Sequence, residues 1–98
     1  MEIIKTIDGT VLTIALEGRL DTMTAPQFEE ELKDSLDGIT ELVLDFEKLQ
    51  YVSSAGLRVI LSAQKAMNKQ GSMKILHVSE DILDVFEITG FTEILTIE

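Results

Sequence analysis

The run Leu42-Val43-Leu44 has acids at both ends. Residues at helical spacing follow it, Leu57, Ile60, Leu61, Gln64 and Met67, and then a second β-favouring run from Met73 to Val78. Two strands with a helix between them are joined by a crossover, and crossovers join parallel strands, almost always right-handedly. This strand–helix–strand unit constrains the fold more than any other feature. It predicts a parallel core sheet, with Leu42-Val43-Leu44 reading as a central strand covered on both faces.

The flanking segments extend the same alternation. Glu2 to Ile7 and Thr10 to Leu16 are β-favouring runs on either side of the turn dipeptide Asp8-Gly9, the pattern of a hairpin. Thr24, Pro26 and Gln27 read as a T-x-x-Q capping box with proline in the first turn. Glu29, Glu30 and Glu31 then complement the positive end of the helix dipole, and Phe28, Leu32 and Leu36 form the buried stripe until Asp37-Gly38 stops the helix. Gln70-Gly71 ends the second helix. Ser79 caps a third through Ile82, Leu83, Val85 and Phe86, with Gly90 as its C′ residue, and a final short strand is expected over Phe91 to Ile97. The expected architecture is α/β: one domain over residues 1–98, a mixed, mostly parallel sheet with an antiparallel N-terminal edge strand and helices packed on it.

Charge and composition narrow the function. Eighteen acids against eight bases give a net charge of -10, which repels nucleic acid and anionic lipid and favours a monomer when free. The absence of cysteine excludes disulfides and thiolate metal sites and fits a reducing compartment. No apolar run approaches the roughly 20 residues of a membrane span, and the opening MEIIKTIDGT lacks the build of a signal peptide, so a cytoplasmic protein is expected.

Catalytic signatures are missing. There is no phosphate-binding loop, no G-x-G-x-x-G and no G-x-S-x-G. His77 is the only histidine and sits near the end of a strand, with no second histidine to share a metal, so a surface role and no metal or cofactor are expected. The acid groups Asp81/Asp84 and Glu29/Glu30/Glu31 lie where helix dipoles account for them.

The strand-to-helix junction Leu49-Gln50-Tyr51-Val52-Ser53-Ser54-Ala55-Gly56-Leu57-Arg58 stands apart. Serine at a helix start accepts hydrogen bonds from unpaired backbone N–H groups, and the same groups with the dipole favour an anion there. Between Glu47 and Glu80 there is no acid, whereas Lys48, Arg58, Lys65, Lys69 and Lys74 all fall in that window. Arg58, Ser62, Lys65 and Lys69 form one stripe opposite the apolar face, either a solvated surface or a binding surface for an acidic partner.

At this junction the chain resembles the STAS domain, specifically the small bacterial anti-sigma factor antagonists. Gly18-Arg19-Leu20-Asp21 is similar to the family's G-x-[LI]-D, Leu42-Val43-Leu44-Asp45-Phe46 to its central strand, and Tyr51-Val52-Ser53-Ser54-Ala55-Gly56-Leu57 to its [FY]-[MIV]-[DS]-S-[SAT]-G-L. The resemblance implies that Ser54 is phosphorylated by a serine kinase that is also the anti-sigma factor, in a setting of Asp21, Ser53, Ala55 and Gly56. It further implies that the unphosphorylated chain binds this kinase and releases the sigma factor, and that a metal-dependent serine phosphatase reverses the modification. Many phosphorylated members have aspartate where this chain has Ser53, and many end in a further helix.

The expected function is therefore a non-enzymatic, phosphorylation-switched antagonist using Arg58, Lys65 and Lys69 as its partner surface. The alternatives are a constitutive STAS scaffold in a signalling or lipid-transport complex, with Ser54 only capping its helix, and an enzyme with Ser54 as nucleophile. The second of these lacks a general base other than His77.

Overall fold

The structure is a computed structural model and describes residues 1–98. Its elements are β1 (Glu2–Asp8), β2 (Val11–Leu20), α1 (Ala25–Ser35), β3 (Glu41–Val52), α2 (Ser54–Gln70), β4 (Ser72–Leu76) and α3 (Glu80–Ile88), followed by a 3-10 turn, Phe91–Glu93. The sheet order is β1-β2-β3-β4, with β1 antiparallel to β2 and the other pairs parallel, as the alternation of strands and helices required. Asp8 pairs with Val11, so the hairpin turn is centred on Gly9-Thr10, one residue later than the Asp8-Gly9 reading, and Gly9 supplies the positive φ of 63°.

Leu12, Ile14 and Leu16 of β2 are fully buried, as are Leu42, Leu44 and Phe46 of β3 and Ile75 of β4. The register sets Leu12, Leu42 and Met73 side by side, and Ile14, Leu44 and Ile75. These rows share one core with Phe28 and Leu32 of α1, Leu57, Ile60 and Met67 of α2, and Ile82 and Phe86 of α3. The opposite face of the sheet carries the rows Thr13-Val43-Lys74 and Ala15-Asp45-Leu76, mostly half-exposed. Val43 is buried but lies outside the continuous core. This corrects the expectation that β3 is covered on both faces: successive right-handed crossovers that advance in one direction across a sheet place their helices on one side. No helix is long and apolar enough to cross a membrane.

β2 and β3 both run further than their apolar runs suggested. Pairing passes through irregularities between Ala15/Glu17 and Gly18/Arg19 and reaches Leu20–Val52, so Gly18-Arg19-Leu20 lies within β2. The expected final strand is reduced to one parallel bridge, Ile75–Ile97. Before it, at the start of the 3-10 turn, Phe91 stacks on Phe86 with ring centroids 6.5 Å apart.

Candidate functional site

The ends of β2 and β3 lie side by side, so the β2–α1 and β3–α2 junctions share one edge of the molecule. Ser53 N–H donates to the Leu20 carbonyl at 2.8 Å and ties the two together. A Cβ on Gly56 would come within 2.7 Å of Leu20 Cγ and 3.0 Å of its carbonyl oxygen, so α2 starts as close to β2 as backbone allows.

The two serines divide the work. Ser53 is the N-cap, in extended conformation, and its hydroxyl accepts the Gly56 N–H at 3.3 Å. Ser54 is the first helical residue; it is exposed, and its hydroxyl makes no hydrogen bond within the chain. The capping role that the scaffold alternative gave to Ser54 thus belongs to Ser53. No acid occupies the first turn of α2.

Asp21 serves its own loop. Its Oδ1 accepts the N–H groups of Met23 at 3.0 Å and Thr24 at 3.1 Å, and its backbone carbonyl accepts those of Thr24 and Ala25. Burial alone would raise its pKa, but the Thr24 and Met23 N–H groups, the Thr24 hydroxyl and the charge of Arg19 together hold the carboxyl below its ordinary value. The expected Thr24 capping box does not form. Thr24 Oγ1 instead donates to the Arg19 carbonyl at 2.8 Å; Asp21 takes the N–H of the N-cap Thr24 on its Oδ1 and that of Ala25, the first residue of α1, on its backbone carbonyl. No acid lies in the first turn of α1, so Glu29, Glu30 and Glu31 are one turn too late to complement its dipole. Glu29 and Glu31 pair with Lys33 and Lys5 instead. Beside this edge Arg19 stacks over the Tyr51 ring, 4.2 Å from its centroid.

Arg58, Ser62, Lys65 and Lys69 are all exposed along α2. Lys5, Arg19, Lys33, Lys48 and Lys74 each have a carboxylate within 4.0 Å. Of the eight Lys and Arg residues, that leaves three unpaired, Arg58, Lys65 and Lys69, all on this stripe. In a chain of net charge -10, cations left without internal partners are available to an external one.

Sequence reasoning missed two neighbours of the site. Met23 is 86% exposed in the β2–α1 loop, a large apolar side chain whose only signal was its place among threonines. A groove also runs between α1 and α2. Its first part, about 200 Å³, is lined by Pro26, Glu29, Ala55 and Arg58, and its second, about 350 Å³, by Leu32, Leu36, Ser62 and Ala66. Glu29 and Val59 line both. His77, the one residue that could have served Ser54 as a base, gives its Nδ1 to Asp45 at 2.9 Å.

The chain is similar to known proteins in sequence and in fold. The chain is 39% identical over 93 residues to a Bordetella bronchiseptica protein provisionally described as anti-sigma factor antagonist BtrV, covering 93% of this chain and 79% of that one. It is 33% identical over 84 residues to the anti-sigma-B factor antagonist of Staphylococcus aureus, covering 84% and 78%. The fold superposes on the anti-sigma factor antagonist SpoIIAA of Bacillus in its unphosphorylated form with a TM-score of 0.85 at 19% identity, covering 99% of this chain and 88% of that one. SpoIIAA in its phosphorylated form gives 0.78, also at 19% identity, covering 99% and 91%. The family model for the STAS domain matches residues 2–98, and the chain belongs to the STAS domain family.

Proposed function

We propose that this protein is an anti-sigma factor antagonist whose binding to an anti-sigma factor serine kinase is switched off by phosphorylation of Ser54 and restored by a metal-dependent serine phosphatase. The observation that carries the reading is the division of labour at the α2 start: Ser53 caps the helix, and the Ser54 hydroxyl stays exposed and unbonded. Support comes from the relatives named as antagonists and from SpoIIAA, a protein of the same fold that exists in a phosphorylated form.

The chemistry of the position suits a phosphoryl acceptor. A hydroxyl with no internal hydrogen bond is free to meet a kinase, and the product phosphate sits at a helix N-terminus, where backbone N–H groups and the dipole favour negative charge. Asp21 keeps its charge but spends Oδ1 on backbone N–H groups, so it acts on this edge through its field. In the unmodified state Arg58, Lys65 and Lys69 present unpaired positive charge to an acidic partner surface, which speeds and orients encounter. Protein of this type is regulatory and needs no catalytic group of its own.

Incubation with the cognate kinase and ATP tests the reading. Wild type and Ser53→Ala should incorporate phosphate at a single site, and Ser54→Ala should remain unlabelled. Label that persists in Ser54→Ala and disappears in Ser53→Ala would overturn the assignment. In the same assay Arg58→Glu should weaken kinase binding and flatten its salt dependence. Binding by wild type that is indifferent to salt would remove the stripe from the interface.

A further inference from the structure

Away from the Ser54 edge, on the sheet face that no helix covers, three side chains from two strands converge. Asp45 Oδ1 lies 2.9 Å from His77 Nδ1, Glu47 Oε2 lies 3.8 Å from the same nitrogen, and one ligating atom from each residue falls within 4.8 Å of both others. We propose that Asp45, Glu47 and His77 form a binding site for a divalent transition-metal ion of the zinc, nickel or cobalt class.

Three local features bring these groups together. β3 advances three residues against two of β2 between the Ala15–Asp45 and Glu17–Lys48 pairs, a bulge that contains Glu47; bulges re-aim side chains in this way. Asp45 Oδ1 also accepts the Glu47 N–H at 3.0 Å, which fixes the carboxylate inside the bulge. His77, just past β4, has a φ of 60°. That left-handed conformation is uncommon outside glycine, although histidine adopts it more readily than most, and here it accompanies an imidazole turned back onto Asp45.

The spacing fits a metal. Zinc lies roughly 2.0–2.2 Å from imidazole nitrogen and carboxylate oxygen, which in tetrahedral geometry sets neighbouring ligand atoms roughly 3.3–3.6 Å apart. The observed 2.9 and 3.8 Å bracket that range, so exposed side chains reach it by small rotations. A cleft of about 230 Å³ lined by Glu17, Asp45, Glu47 and Lys48 opens alongside and leaves room for water ligands.

Charge favours a dication over an internal ion pair. Two carboxylates with one protonated imidazole leave a net charge of about -1, whereas a divalent ion with neutral imidazole brings the group to neutrality. The nearby lysines do not supply the balance, because Lys48 pairs with Glu17 at 3.9 Å and Lys74 with Glu41 at 3.4 Å. A nitrogen ligand beside two oxygens selects zinc, nickel or cobalt over magnesium or calcium, which prefer oxygen alone.

Titration calorimetry with zinc chloride and with nickel chloride, each against the full chain in a non-chelating buffer, tests the site. One ion per chain should bind with a micromolar Kd. His77→Ala should lose at least about tenfold in affinity, with Glu47→Gln losing affinity in the same direction; Glu47 is exposed, so its variant keeps the fold. Ser54→Ala should bind as wild type does, which separates this site from the phosphorylation reading. Absence of zinc and nickel binding by wild type, or affinity unchanged in both His77→Ala and Glu47→Gln, would overturn the proposal.

Discussion

Helices α2 and α3 begin with the same device and then part company. Ser53 and Ser79 are both N-caps in extended conformation, and each accepts the N–H three residues on at 3.3 Å, from Gly56 and Ile82. The next two residues differ in kind. α3 continues with Glu80 and Asp81, which answer the positive end of its dipole, whereas α2 continues with Ser54 and Ala55 and has no acid in its first turn. The third position differs too, since Ile82 is anchored in the core and Gly56 lies bare against Leu20. α3 is therefore complete in itself. α2 is capped and docked, but the field at its N-terminus remains open to an anion from outside.

The largest expected break in this comparison is at the third helical position. Gly56→Ala pushes a methyl group into Leu20 and should lower stability by about 1–3 kcal/mol in a denaturant titration, as overpacking does. A variant as stable as wild type would mean that the close approach of α2 to β2 carries no weight.

Phosphorylation comes next. A phosphate carries a charge of about -1.5 to -2, and at an N-terminus with no acid of its own it gains from the dipole. Phospho-Ser54 protein should keep its circular dichroism spectrum and nearly its melting temperature. It should nevertheless bind the kinase at least about tenfold more weakly, about 1.4 kcal/mol, because the charge is repelled or desolvated at the contact. Loss of helical signal would replace this surface mechanism with melting of α2.

The caps test what the two helices share. Ser53→Ala and Ser79→Ala should each cost about 0.5–2 kcal/mol of stability, while Ser54→Ala should cost almost nothing. A substantial loss in Ser54→Ala would return the capping role to Ser54.

A smaller effect follows from charge at the first position. Ser54→Asp should stabilise by up to about 1 kcal/mol, and Asp81→Asn should destabilise by a similar amount, both fading with salt. Equal and opposite responses would show that α2 lacks what α3 already has.

The smallest effect lies at the His77–Asp45 pair, away from both helix starts. The hydrogen bond and charge of Asp45 raise the His77 pKa. That contribution to stability is complete below the unfolded value of roughly 6.5 and is lost as pH rises through the raised folded value. Burial pushes Asp45 up, but the bonds from His77 and the Glu47 N–H and the charge of His77 outweigh it, so its pKa is lowered. The Asp45 share is present above roughly 3.8 and is lost as pH falls through the depressed value. Stability in metal-free buffer should therefore decline slightly as pH rises from about 6.5, and His77→Ala should abolish that slope; a slope unchanged in the variant would assign it elsewhere.

Much of this was legible in residue order because the fold is built from local alternation. The strand–helix–strand unit from Leu42 to Val78 and the opening hairpin dictate the sheet, and the spacing of Arg58, Lys65 and Lys69 places them on one face. What stayed hidden depends on contacts between distant segments. The one-sided covering of β3 follows from the direction of the crossovers, to which the run Leu42-Val43-Leu44 is blind. At the start of α1 the loop folds back on itself, so the Asp21 backbone carbonyl accepts the Ala25 N–H and the Thr24 hydroxyl turns to the Arg19 carbonyl instead of capping. Which of two adjacent serines caps α2 turns on where helical geometry begins, a matter of one residue. His77 offered no metal signal alone, since its companions stand about thirty positions earlier in β3.

The tethering of α2 has a consequence for how a signal can be displayed. At its start Ser53 is bonded to Leu20, and at its end the Gln70 amide donates to the carbonyls of Leu36 and Ile39 while a Cβ on Gly71 would overlap Thr40. A rod tied at both ends is poorly placed to swing as a body. If Ser54 is the switch, the message is the phosphoryl group itself, read where it stands, with no swing of α2 needed to display it.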